Sequence, residues 1–244
     1  MVQALCESCL ERFDDGGPAG VGGRRLCPGC RGRLAPAGVA AAVPIARVVE
    51  PPVSPFVRLR DRADAWCAGR SGAVRLPLLV WFAYILVRHW ADEGYHSLFF
   101  GLNLGIHELG HPLFIWLGEF LGVAGGTILQ CLVPVLSMGM FYRQGDFFGI
   151  AACFGWLSTN LFYCGWYAAD AVTVAIPLAN PFGRAELLHD WNYLLGAMGL
   201  LPWTGTIAFL FRLAASFAML AGLALGGWLV WRMFRARDAM PPAA

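Results

Sequence analysis

His107, Glu108 and His111 form a His-Glu-x-x-His pattern inside residues 98–117, a stretch that is otherwise almost wholly apolar. On a helix, positions i and i+4 share a face, so the two imidazoles can each offer a ring nitrogen to one ion. Glu108 lies about 100° further round, beside the ion but not needed as a ligand. A carboxylate there can take a proton from a zinc-held water and later hand it to a leaving amine. The same pattern arises by chance in soluble helices as solvated side chains. Inside a bilayer, however, each such group costs roughly 2.5–3.5 kcal/mol at a helix centre. Three within five residues need a compensating partner, and a metal ion supplies it.

Two histidines and a water leave one protein ligand to be found. His189 and Asp190 open a later helical stretch, after the turn Asn180-Pro181-Phe182-Gly183. Neighbours on a helix point about 100° apart, so only one of the two faces the metal. Asp190 is the preferred ligand, with His189 as its supporting partner or the substitute. The plainer role for Asp190 is an N-cap. Asp170 is a further candidate, although a charge at a span end is more simply interfacial. Asn103, Gln130, Ser137, Asn160 and Asn192 are the other polar residues in the spans. Such groups tie helices together at roughly 0.6–2 kcal/mol each; the alternative for Asn160 or Asn192 is to hold a substrate backbone or orient a ligand.

A second group of ligands lies near the start. Cys6-Glu7-Ser8-Cys9 and Cys27-Pro28-Gly29-Cys30 are two C-x-x-C pairs with seventeen residues between them. Each pair offers two thiolates from a tight turn, and four sulfurs complete a tetrahedron, as in a zinc ribbon. The alternative is a pair of disulfides. Reduced thiolates on zinc place this end in the cytoplasm. The intervening stretch, with Asp14-Asp15-Gly16-Gly17 and Gly22-Gly23, is expected to form a short hairpin. Cys67, Cys131, Cys153 and Cys164 are scattered and read as small apolar packing residues.

The elements that must position these groups are membrane helices. The chain has 244 residues, 58% hydrophobic and 14% charged, with a mean hydropathy of +0.57. Soluble domains carry about 25% charged residues. The expected fold is all-α and polytopic, about six transmembrane helices preceded by a small zinc ribbon. Its parts are the ribbon (1–34), a Pro/Ala-rich linker and basic juxtamembrane segment (35–75), a membrane domain (76–232) and a tail (233–244). Spans are predicted at 76–91, 97–118, 122–142, 147–168, 187–201 and 205–231, the fifth short and tilted or re-entrant. Residues 57–75 alternate arginine with apolar side chains, as an amphipathic segment on an anionic membrane face or as a solvated connector. Arginines before the first span and after the last place both termini in the cytoplasm of a plasma (bacterial inner) membrane. Six crossings then leave Arg143 in an external turn. Gly122, Gly125 and Gly126 form either a flexible entrance loop or a close helix contact. The arginines flank spans and form no stripe, so no nucleic-acid partner is expected.

His107–His111 on a membrane helix, followed far downstream by an aspartate opening another, resembles the site-2 protease class of intramembrane zinc metalloproteases. The resemblance covers roughly residues 97–200. It implies His107 and His111 as ligands, Glu108 as acid/base, Asp190 as third ligand and a membrane-embedded protein as substrate. The pattern departs from that class at three points: His189 precedes the aspartate, Trp191 rather than glycine follows it, and Asn180-Pro181 lies too far upstream. Pro112 removes the bond to the Glu108 carbonyl and is expected to kink the helix. Two cofactors are implied, a catalytic Zn2+ in the membrane and a structural Zn2+ in the ribbon. Membrane lipids and a protein partner at the ribbon complete the expected contacts. The competing readings are a non-proteolytic zinc-binding scaffold or metal carrier, and a ribbon-centred binding module with the membrane part as anchor.

Overall fold

The computed structural model describes residues 3–14, 26–30, 54–177 and 188–238. The linker to residue 53, the glycine pairs at 16–17 and 22–23, the turn at 180–183 and the last six residues lie outside them. Two compact units divide at Val53 and Ser54.

In the first unit, β1 (Gln3–Leu5) and β2 (Arg12–Asp14) pair antiparallel, with Ala4 opposite Phe13. The described hairpin therefore brackets the first C-x-x-C pair, whereas the sequence pointed to the stretch between the pairs. Its turn is closed by bonds from the Cys6 N–H to Glu11 O and from the Leu10 N–H to Cys6 O, both 2.9 Å. Leu10 takes φ 62° there. Ala4 and Leu26 are buried, which is little core for a folded unit.

The second unit is helical: α1 (Pro55–Cys67), α2 (Leu76–Ala91), α3 (Phe100–Phe114), α4 (Glu119–Gln144), α5 (Phe147–Ala169), α6 (Asp190–Ala197) and α7 (Thr204–Asp238). Three helical segments, built on α4, α5 and α7, are long and apolar enough to cross a membrane. At 1.5 Å per residue, α2 spans about 24 Å, α3 about 22 Å and α6 about 12 Å, against a hydrocarbon core of about 30 Å. The fifth predicted span, 187–201, thus shrinks to the eight residues of α6 and a turn.

Small residues set the seams, as expected where no water drives helices together. A Cβ on Gly155 would meet the Phe82 ring at 2.5 Å, and one on Gly222 would meet Ala151 O at 2.8 Å. These contacts, with the His89 ring stacked on Phe162 at 4.3 Å and Gly165 set against Ala208 O, run α2 parallel to α5 and α7 antiparallel to it. Along α5, Gly149 meets Phe141 and Asn160 O meets Gln130; along α3, His107 meets Gln130 and His111 meets Gly122 O, so α4 is antiparallel to both α5 and α3. It follows that α2 and α3 point the same way, and their connection does not reverse the chain. The six-span alternation fails there. As a result the turn after α4 lies at the end where α1 and the last turns of α7 meet. Arg62 sits over the Tyr142 ring at 5.7 Å, and Phe147 packs with Ala63, Leu229 and Met233. Arg143 therefore joins the other arginines rather than standing opposite them.

The basic segment resolves as α1, capped by the Ser54 hydroxyl, which accepts from the Val57 N–H at 3.2 Å. Its buried face, Ala63 and Cys67 with Trp66, docks on α7, and Arg232 pairs with Asp64 at 2.7 Å. It is neither a free connector nor wholly laid on a lipid surface.

Candidate metal centres

In the first unit, the sulfurs of Cys6, Cys9, Cys27 and Cys30 all lie within 4.8 Å of one another, and all four are free thiols. Cys9 and Cys27 are 3.7 Å apart. A tetrahedron with metal–sulfur bonds of 2.3 Å has edges of roughly 3.8 Å, so the spacing fits one shared ion and is too long for a disulfide. The Cys27 N–H donates to the Cys6 sulfur at 3.2 Å. That bond leads the effects that lower the Cys6 thiol to about 6.

In the second unit, His107, His111 and Asp190 are buried and bring their ligand atoms within 4.8 Å of one another. The His107 and His111 Nε2 atoms lie 2.8 and 3.4 Å from Asp190 Oδ2. Each opposite ring nitrogen has a carbonyl acceptor: Gln130 Oε1 at 2.8 Å for His107 and Gly122 O at 3.0 Å for His111. Both Nδ1 atoms must therefore carry hydrogen, so in the neutral rings both Nε2 lone pairs face a carboxylate. A proton shared with the carboxylate or a metal ion held between the three groups relieves that repulsion. The donor set fits a metal ion, with the 3.4 Å edge already close to that of a tetrahedral site.

Local structure explains the convergence. Gly110, Gly122, Gly125 and Gly126 let α3 and α4 touch backbone to backbone; a Cβ on Gly126 would stand 2.6 Å from the His107 Nε2. The glycines lie within a helix contact, not an entrance loop. Pro112 falls in the last turn of α3, which tightens to a 3-10 turn over Ile115–Leu117 and reverses at Gly118, φ 107°. Glu108 is half-buried beside His107 and stands outside the ligand group.

His189 does not join the ligands among the described residues. Its Nδ1 accepts the Asn192 N–H at 3.2 Å and caps α6, while its Nε2 lies 3.4 Å from Asp170 Oδ2. The N-cap considered for Asp190 therefore falls on His189, and Asp190 follows as the first helical residue. Asp170 gathers the loop after α5 by accepting from the Thr173 hydroxyl and from the Ala175 and Ile176 N–H groups. It steadies His189 and so the start of α6. Asn192 donates to Ala171 O at 2.8 Å, and Asn103 to Thr159 at 3.1 Å; both tie elements together. Two contributors escaped the sequence reading. Gln130 reads as an interhelical amide, yet it orients His107. Tyr167, which no motif singles out, accepts the Asp190 N–H at 3.3 Å and lies against His189.

Gln130→Ala should weaken metal binding at this centre about 10–100-fold, the usual effect of losing a partner that orients a ligand. Competition with a chromophoric chelator measures it, and the cysteine centre should be unchanged.

No family model matches the chain, and no curated protein or solved structure matches it.

Proposed function

We propose that the chain is an intramembrane zinc metallopeptidase of the site-2 protease type that hydrolyses peptide bonds of membrane-embedded substrates. The observation that supports this most is a buried set of three donors, His107, His111 and Asp190, with Glu108 next along the same helix. Catalytic zinc characteristically keeps three protein ligands and one open position, and three is the number in this group among the described residues. Zinc held there would supply a water of pKa about 7 and a Lewis acid for a carbonyl. Glu108 would take a proton from the attacking water on a carboxylate oxygen and hand it to the leaving amine nitrogen. Gln130 and the Gly122 carbonyl keep both imidazoles in the tautomer that presents Nε2. The Asp170–His189 contact and the Tyr167 hydroxyl hold Asp190 in place.

A substrate peptide must lose its helical hydrogen bonds before a scissile carbonyl can reach the ion, because intact helices bury those groups. In this reading the arginine-bearing end faces the cytoplasm by the positive-inside tendency. The ribbon holds its own zinc and offers a surface for a protein partner.

Metal analysis tests the assignment. The purified chain should carry two zinc ions, His107→Ala one and Cys6→Ser one, with cleavage of a membrane-embedded peptide lost only in His107→Ala. If His107→Ala retains both ions, the membrane centre is not a zinc site and the peptidase reading fails. Zinc held without any turnover, with a fourth protein ligand closing the site, would select the scaffold or carrier instead.

A further inference from the structure

Cys131 on α4 and Cys164 on α5 face each other with sulfurs 3.9 Å apart, and both are free thiols. Cys164 is buried and Cys131 half-buried. The Cys164 sulfur also accepts from Gln130 Nε2 at 3.3 Å. The Oε1 of that same amide holds His107 Nδ1 at 2.8 Å. Three contacts in series therefore join a thiol pair to a ligand of the membrane centre. Read singly, each cysteine is a packing residue; only the fold brings them together.

We propose that Cys131 and Cys164 are a redox-active pair whose closure to a disulfide loosens the ion held by His107, His111 and Asp190. The inference rests on the metal centre of the proposed function. The oxidant is a hydroperoxide, taken here as hydrogen peroxide. The Cys131 sulfur, the less buried of the two, attacks one peroxide oxygen; the O–O bond breaks, leaving a sulfenic acid on Cys131 and one water. The Cys164 sulfur then attacks that sulfur; the S–O bond breaks and a second water leaves, carrying the thiol protons. Two thiols and one peroxide become one disulfide and two waters.

Geometry transmits the change. A disulfide is about 2.05 Å long, so sulfurs now 3.9 Å apart must approach by nearly half their separation. Cys164 then turns from Gln130, whose amide keeps only its second acceptor, the Asn160 carbonyl at 3.3 Å. As the amide re-aims, Oε1 leaves His107 Nδ1, and the imidazole loses the bond that fixes its tautomer and direction.

The test uses the full zinc-loaded chain in detergent, treated with hydrogen peroxide. Peptide mass spectrometry reads the Cys131–Cys164 linkage, and a chromophoric chelator reads the zinc release rate. Cys131→Ala, with Cys131→Ser as a second variant, keeps the Gln130–Cys164 contact and cannot close the bond. Both variants share every ribbon cysteine with the parent, so ribbon oxidation cancels in the comparison. The parent should gain the linkage and release its membrane zinc about 10–100-fold faster, reversibly with dithiothreitol, while the variants do not respond. Absence of the linkage, or a linked chain that releases zinc no faster than the variants, overturns the proposal. Failure of the metal centre itself appears separately: the untreated variants would then carry no zinc beyond that removed by Cys6→Ser.

Discussion

Glu108→Gln should retain both zinc ions and cleave its substrate about 100- to 10,000-fold more slowly than the parent, the range over which a positioned general acid–base acts. The variant separates binding from chemistry because Glu108 lies outside the ligand group, while His107 and His111 occupy the buried face of α3. Glutamine keeps the size and polarity of the side chain but cannot hold the proton between its removal from water and its delivery to the amine. Zinc content, measured on the same preparation, should match the parent. Equal rates for parent and variant would sink the acid–base role and with it the hydrolytic mechanism. Loss of zinc instead would mean that Glu108 serves as a ligand.

What could be read from residues alone was local chemistry. His107 and His111 fall on one face by helical arithmetic, and two C-x-x-C turns define a tetrahedron whatever surrounds them. The angle between neighbours lets only one of His189 and Asp190 face the centre; in the fold the His189 Nε2 lies 3.4 Å from Asp170 Oδ2, and the Asp190 carboxylate lies with His107 and His111. Asp170 belongs to the loop after α5, and nothing in the spacing from residue 170 to 189 announces that meeting.

The topology misled for a related reason. A hydropathy window finds apolar stretches and assumes that each reverses direction. α2 and α3 are both apolar, yet the glycine contacts make them run the same way, so counting them separately displaced Arg143. Gln130 illustrates the same limit in a side chain. A buried amide in a span signals a partner, and only the packing of α4 on α3 shows that the partner is His107.

Gly110→Ala should empty the membrane centre and destabilise the helical unit, although it adds a single methyl group. The added Cβ would stand 2.1 Å from Gly125 O, 2.5 Å from Gly125 C and 2.8 Å from Gly126 Cα. All three are backbone atoms, which cannot swing aside as a side-chain tip can. Relief requires α3 and α4 to part by more than an ångström, roughly the gap between these distances and ordinary carbon contact. Overpacking of this kind costs about 1–3 kcal/mol, occasionally more. The functional effect is larger than the stability effect, because both carbonyl acceptors that orient the imidazoles, on Gln130 and Gly122, belong to α4. Separating the helices detaches both at once. Gly105→Ala on the same helix is the internal control: a Cβ there meets nothing within 4 Å, and alanine is the better helix former by about 0.5–1 kcal/mol. Zinc content and thermal unfolding of the two variants decide the matter. If Gly110→Ala keeps its membrane zinc as firmly as Gly105→Ala does, the seam between α3 and α4 does not build the centre.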